Sequence, residues 1–162
     1  MSFSEFMIFV SKIGSPQSIT ILCIVLGIFL LSHKKIYHFF QFVIFMSLGG
    51  GSVWLLKQWF QIPRPVDGII QAPGYSFPSG HAAMATLFFF LLTYSYLSHV
   101  KSRTGKFFLI IAGLGVPMLV SYSRIYLGVH TFNDVVGGIC LGTFWFLLSV
   151  IFYTRISVKR GN

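Results

Sequence analysis

Lys106–Tyr153 reads KFFLIIAGLGVPMLVSYSRIYLGVHTFNDVVGGICLGTFWFLLSVIFY. Two apolar runs, about 106–122 and 132–153, flank a short connection carrying Ser123, Arg124, His130 and Asp134. A run near ~20 residues is long enough to cross the hydrocarbon core as a helix. Such a segment must satisfy its backbone polar groups internally, so a helix is the form that fits. Working outward, further apolar runs occupy about 16–32, 37–58 and 80–98. The expected fold is all-α: a polytopic transmembrane helix bundle of about five spans, forming a single domain over residues 1–162.

Composition agrees. The chain is 55% hydrophobic and only 9% charged, far too few charges for the surface of a soluble domain of 162 residues. The first span is short, because Gly14-Ser15-Pro16 punctuates it, and it fits locally thinned lipid or an extra turn. Before it, Phe3, Phe6, Met7 and Val10 recur at helical spacing, which predicts an amphipathic helix over 3–13 lying at the interface. Met1–Gly14 lacks the basic start and small-residue cleavage site of a removable signal peptide. Cys23 and Cys140 fall inside apolar runs and read as buried small hydrophobes, with no disulfide framework.

The connections divide the charges unevenly. One face receives His33-Lys34-Lys35, Lys101, Arg103, Lys106, Arg155, Lys159 and Arg160, eight of the twelve Lys and Arg residues. The other receives Lys12, Lys57, Arg64 and Arg124 with all three acids, Glu5, Asp67 and Asp134. The positive-inside rule makes the first face cytoplasmic. The net charge of +9 is therefore topology charge plus a few site charges, and no basic stripe with exposed aromatics indicates nucleic acid. Three polar clusters gather on the outer face: Lys57 with Arg64-Pro65, Pro78-Ser79-Gly80-His81, and Ser123-Arg124 with His130 and Asp134. The connection 59–79 holds Pro63, Pro65, Pro73, Pro78, Gly68 and Gly74, which exclude a regular helix and predict a folded loop over those clusters. Within it, Ile69, Ile70, Tyr75 and Phe77 either touch lipid or an acyl chain or pack the loop down.

Ionisable groups in a membrane protein are costly and call for a function. His130 and Asp134, four apart at the start of the last span, are expected on one helical face. A carboxylate on one ring nitrogen leaves the other free to attack and supports the positive charge that follows. The same pair also suits zinc, with His81 as a third ligand, although three nearby cations oppose it. Ser79 is a good N-cap and Gly80 admits a close ligand, so the 78–81 segment offers helix N–H groups to a phosphate; it also reads as a simple capped helix start. His81 then stands beside that seat as a proton donor to a leaving alkoxide. Lys57, Arg64 and Arg124 supply fixed positive charge for a transferring phosphoryl group, the alternative for Lys57 and Arg124 being snorkelling from helix ends.

The ordered pattern Lys57-x6-Arg64-Pro65, Pro78-Ser79-Gly80-His81, Ser123-Arg124-x5-His130-x3-Asp134 resembles the three-part signature of the type 2 phosphatidic acid phosphatase (PAP2) superfamily. The resemblance implies a membrane-embedded lipid phosphatase working without a metal or other cofactor. His130 would attack phosphorus to give a phosphohistidine, supported by Asp134, and His81 would protonate the leaving group. Lys57, Arg64, Ser79, Gly80 and Arg124 would hold phosphate oxygens. Six spans are common in the family, against five and an amphipathic segment here.

The expected substrate is a lipid phosphomonoester or diphosphate: phosphatidylglycerophosphate, phosphatidate, undecaprenyl diphosphate or lipid A 1-phosphate. A lipid phosphotransferase with the same site, and a non-enzymatic anion-binding transporter, are the competing readings. The polar groups sit at span ends rather than at mid-membrane, against the transporter. The location expected is a bacterial inner membrane, with the site facing the periplasm or exterior. His33, His38 and His99 read as interfacial polar residues, and Gly49-Gly50-Gly51 and Gly138-x3-Gly142 as close helix contacts, with oligomeric state left open.

Overall fold

The computed structural model describes residues 2–160, with side chains through Arg155. The described residues form six helices: α1 (Phe3–Ile13), α2 (Pro16–Ser32), α3 (Ile36–Phe60), α4 (Gly80–Leu97), α5 (Arg103–Tyr126) and α6 (Phe132–Arg160). Serine caps start four of them. Ser2 and Glu5 close a reciprocal capping box on α1, and Ser15, Ser79 and Ser102 accept N–H groups of α2, α4 and α5. The basic tail predicted at Lys159 and Arg160 lies outside the described side chains.

Helices α3, α4, α5 and α6 (through Arg155) are long and apolar enough to cross a membrane. The fifth expected span, α2, has 17 residues and reaches spanning length only together with α1, across a 47° bend. The bend follows Gly14, where a Cβ would collide with Val120 of α5. Part of the α1 stripe expected at the membrane interface faces protein instead: Met7 and Val10 are buried, beside Val120 of α5 and Leu127 just beyond it, whereas Phe3 is 55% exposed. That packing brings α1 to the end of the bundle where α5 finishes.

At the centre runs α4, whose buried face includes Ala82, Ala83, Thr86, Leu87 and Leu91. Gly138 and Gly142 of α6 let it close on α4: a Cβ at either would lie 2.5 Å from the Ser79 or Ala83 carbonyl oxygen. The small-residue pair thus serves an intramolecular contact, as expected for backbone-to-backbone packing in lipid. Farther down, Ile19, Leu26 and Leu30 of α2 pack with Phe42, Phe45 and Met46 of α3 and with Leu87, Phe88 and Leu91. Two polar ties join α3 to α6, Gln41 Nε2 donating to Ser149 Oγ (2.7 Å) and Trp145 Nε1 to Ser52 Oγ (3.0 Å). Both cysteines are free. Cys23 is half-buried, but Cys140 is exposed on α6, because a span inside lipid presents apolar residues outward as well as inward.

This antiparallel arrangement collects the C-terminal ends of α3 and α5 and the N-terminal ends of α4 and α6 at one end of the bundle. The three polar clusters occupy those ends.

Candidate active site

Residues 61–79 form a non-helical strap across this end. Its neck is closed by Ser76 N–H donating to the Ile62 carbonyl at 2.7 Å, and its far side by Ile69 N–H donating to the Leu127 carbonyl at 3.0 Å. There two glycines meet: Gly128 has φ +68°, and a Cβ on it would sit 2.6 Å from Gly68 Cα. Ile70 packs beside Met7, Leu127 and Val129, and the Phe77 ring lies edge-on to Phe60. Those two side chains hold the strap down, whereas Ile69 is exposed.

The strap delivers Arg64 to His130. Arg64 Nε donates to the Pro73 and Gly74 carbonyls (3.3 and 3.1 Å), and Nη1 donates to the Val129 carbonyl (3.0 Å). The same Nη1 lies 3.1 Å from His130 Nε2. On the other side of the ring, Nδ1 lies 3.2 Å from Ser76 Oγ, which donates to Asp134 Oδ2 at 2.6 Å. The direct His130 Nδ1 to Asp134 Oδ2 separation is 3.7 Å, beyond a hydrogen bond. The expected imidazole–carboxylate pair is therefore present with a serine hydroxyl between its members.

The expected shared helical face is corrected too. His130 sits in the turn after Gly128, and α6 begins only at Phe132. Asp134 belongs to the first turn, where its carboxylate accepts Thr131 N–H (2.7 Å) while Asp134 N–H donates to Thr131 Oγ1 (3.3 Å). That reciprocal cap fixes the carboxylate and places the preceding turn. Burial, and after it the charges of Arg64, Arg124 and Lys57, hold the His130 imidazole well below its ordinary pKa, with Asp134 pulling the other way. The ring is accordingly neutral near pH 7.

Lys57 Nζ donates to the Tyr75 and Ser76 carbonyls at 2.5 and 3.0 Å. It thus leads from α3 to the strap rather than snorkelling. Ser79 is fully buried; its Oγ caps α4 by accepting Ala82 N–H, and its own N–H donates to the Asp134 carbonyl at 2.8 Å. That leaves the Gly80 and His81 N–H groups as the unpaired ones of the first turn among the described residues. The charges of Arg124, Arg64 and Lys57 all act on His81, whose ring has no hydrogen-bond partner among the described residues. Arg124 is buried in the last turn of α5. Its Nη1 donates to Ser11 Oγ of α1, and its Nε, also buried, has no partner among the described residues. Among the described residues no three His, Cys, Asp or Glu side chains converge as metal ligands.

All eight residues singled out from the sequence, Lys57, Arg64, Ser79, Gly80, His81, Arg124, His130 and Asp134, thus lie at one end of the bundle. Three contributors were not foreseen: Ser76, Ser11 and Thr131. Only Thr131 left a readable signal, the Thr131-x-x-Asp134 capping pattern.

The sequence model of the PAP2 superfamily matches residues 38–157, which include the whole constellation. The chain belongs to the PAP2 superfamily. This PAP2 protein is 29% identical over 160 residues to phosphatidylglycerophosphatase B of Bacillus subtilis, covering 97% of this chain and 78% of that one. It is 33% identical over 134 residues to human dolichyldiphosphatase 1, covering 74% of this chain and 56% of that one. The crystal structure of the Bacillus subtilis transmembrane PAP2-type phosphatidylglycerolphosphate phosphatase superposes with a TM-score of 0.87 at 26% identity, over 94% of this chain and 77% of that one. That of Aquifex aeolicus LpxE gives 0.69 at 29% identity, over 91% and 84%. This PAP2 protein is thus a multi-pass membrane protein of that fold.

Proposed function

We propose that this PAP2 protein is a lipid phosphatase that hydrolyses a lipid phosphomonoester or diphosphate at the outer face of a bacterial inner membrane, without a metal, through a phosphohistidine on His130. The observation that carries the reading is the neutral, buried His130 ring, held at both nitrogens, with its Nε2 facing a guanidinium.

In this reading a lipid phosphate enters between Arg64, Lys57, Arg124 and the Gly80 and His81 N–H groups. Arg64 turns its Nη1 from Nε2 to a phosphate oxygen. Nε2 then attacks phosphorus; the N–P bond forms as the P–O bond to the lipid breaks. His81, protonated beside the arriving dianion, gives its proton to the leaving oxygen. Water next attacks phosphorus, returns a proton to His81, and frees phosphate and His130. The fixed cations stabilise the equatorial oxygens in both steps, at a barrier that is among the highest known for hydrolysis in water.

A lipid substrate is supported by the groove beside the site. An apolar cavity of about 860 Å³ runs between α2, α3 and α4, from Leu31 and Phe39 up to Lys57 and Gly80. Ile24, Ile28, Val43 and Met46 line it and suit an acyl or isoprenoid chain, while its polar end meets the phosphate seat. The names of the relatives, a phosphatidylglycerophosphatase and a dolichyldiphosphatase, point to the same classes. The basic connections at the opposite end support an outward-facing site.

Purified protein supplied with phosphatidylglycerophosphate, phosphatidate, undecaprenyl diphosphate and lipid A 1-phosphate tests the reading. Phosphate release from at least one is expected, unaffected by chelator, inhibited by vanadate, and with an acid-labile phosphoenzyme in rapid quench. His130→Ala should abolish release, a loss of about 10⁴-fold or more by analogy with other removed nucleophiles. Turnover retained in that variant sinks the nucleophile assignment, and chelator sensitivity returns the zinc reading.

A further inference from the structure

Ser76 stands outside the pattern that carries the family resemblance, two residues before Pro78. Yet its side chain is fully buried, and its hydroxyl is the sole group within hydrogen-bond distance of both His130 Nδ1 and the Asp134 carboxylate among the described residues. Proton counting decides its role. A serine hydroxyl carries one proton, and an ionised carboxylate only accepts. The 2.6 Å contact to Asp134 Oδ2 therefore uses that proton, so Oγ meets His130 Nδ1 as an acceptor. Nδ1 must then bear the ring proton, and Nε2 the lone pair.

An independent group at the other end of the ring demands the same tautomer. Arg64 Nη1 has only protons to offer, and it sits 3.1 Å from Nε2. Two neighbours from different parts of the strap thus agree on where the ring proton lies. The serine is itself fixed by its backbone: Ser76 N–H donates to the Ile62 carbonyl, and its own carbonyl accepts from Lys57 Nζ at 3.0 Å. Asp134 Oδ2 is held in turn by Thr131 N–H.

We propose that Ser76 is the positioning residue of the nucleophile: its hydroxyl transmits the Asp134 carboxylate to His130, fixing the Nδ1–H tautomer and spreading the positive charge that develops when Nε2 attacks phosphorus. The ring proton stays on Nδ1 throughout; the N–P bond forms, the lipid P–O bond breaks, and no further proton moves along the chain. Asp134 acts across the serine rather than on the ring directly. Lys57 thereby joins the phosphate seat to the nucleophile's support through one carbonyl. The proposal rests on His130 being the nucleophile.

The test compares Ser76→Ala, Asp134→Ala, the double variant and His130→Ala, each purified and assayed on the best lipid substrate of the panel. Ser76→Ala is expected to lower kcat about 10- to 100-fold, the usual cost of losing a group that orients a reacting side chain. KM and the vanadate inhibition constant should stay within about threefold, since the phosphate seat is untouched. The double variant should lose little more than Asp134→Ala alone, because the carboxylate acts through the hydroxyl. Ser76→Cys, which keeps the volume but donates poorly, should show the same kcat loss and serves if the alanine variant does not fold. A kcat within twofold of wild type, losses that multiply in the double variant, or a parallel loss of vanadate affinity each overturn the proposal. Turnover in His130→Ala instead overturns the nucleophile assignment on which it rests, and the two failures are told apart in one panel.

Discussion

His130 and Arg124 are buried to the same degree, 3% and 4% exposed, but their surroundings differ in kind. Both nitrogens of the imidazole have partners, in an unbroken line from Arg64 through His130 and Ser76 to Asp134. Among the described residues the guanidinium has one partner, Ser11, and a buried Nε with none. Among the described residues the Thr86, Ser95 and Ser121 hydroxyls are also unpaired, but the Arg124 Nε is the cationic member of that set and stands at the end of the bundle that holds the polar clusters. The difference separates two tasks. On the proposed function, the attacking group is oriented before substrate arrives, and part of the charge-stabilising machinery is left unpaired for the phosphoryl oxygens, where its hydrogen bonds would strengthen as charge develops.

Removing the waiting side is the largest way to break that contrast. Arg124→Met should lower kcat/KM by about 10²- to 10³-fold, the scale seen on losing a single donor to a developing oxyanion. Vanadate affinity should fall with it, unlike in variants of the His130 support. Arg124→Lys should recover little, because an ammonium cannot reproduce the Nε and Nη directions of the planar fork. Steady-state kinetics with vanadate inhibition checks both, and an Arg124→Met enzyme with normal vanadate affinity would remove Arg124 from the phosphate seat.

A smaller effect sharpens the same contrast without any mutation. If Arg124 Nε and the Gly80 and His81 N–H groups await an anion, occupancy should stabilise the fold. Ligand at 100 times its dissociation constant contributes about 2.7 kcal/mol. Thermal unfolding in detergent should therefore rise by several degrees with saturating vanadate. In Arg124→Met most of that rise should vanish, whereas Ser76→Ala should keep it. An equal rise in all three proteins would mean that the anion binds elsewhere.

Much of this geometry is legible in the sequence alone. Lys57, Arg64, His81, Arg124, His130 and Asp134 stand out because an ionisable side chain beside an apolar run is too costly to keep without a task. One helix start is legible for a related reason: Ser79-Gly80 is capping chemistry at the head of an apolar run. Ser76 and Ser11 are silent because serine has cheap local uses in turns and helices, and a hydroxyl readily bonds a nearby backbone carbonyl, as Ser123 does with Val120. Their partners lie 54 and 113 residues away, and no spacing rule reaches that far. The four-residue separation of His130 and Asp134 is legible but misleads, since it equals a helical repeat while Gly128 bends the chain and the helix starts two residues later than His130. The α1 stripe is amphipathic as its spacing predicts, but amphipathicity does not say whether lipid headgroups or α5 covers it.

That last point gives the smallest and most local prediction. Ser11 lies on α1, outside the residues that the family model matches, yet its hydroxyl is the one protein acceptor of Arg124 among the described residues. Ser11→Ala leaves a second guanidinium N–H buried and unpaired, at a cost of roughly 1–3 kcal/mol to the unliganded fold. On the proposed function a bound phosphate would still engage Nε, so the guanidinium should keep its role but lose its fixed direction. The expected outcome is a kcat/KM reduced about three- to tenfold, with kcat contributing most of the loss, and a lower unfolding temperature partly restored by vanadate. Ser11→Thr, which keeps the acceptor, should stay near wild type in activity. If Ser11→Ala matches wild type in both activity and unfolding temperature, α1 is a packing element only, and the waiting side of the site ends at Arg124. If it behaves as expected, α1 belongs to the catalytic apparatus, and its burial against α5 is what brings it there.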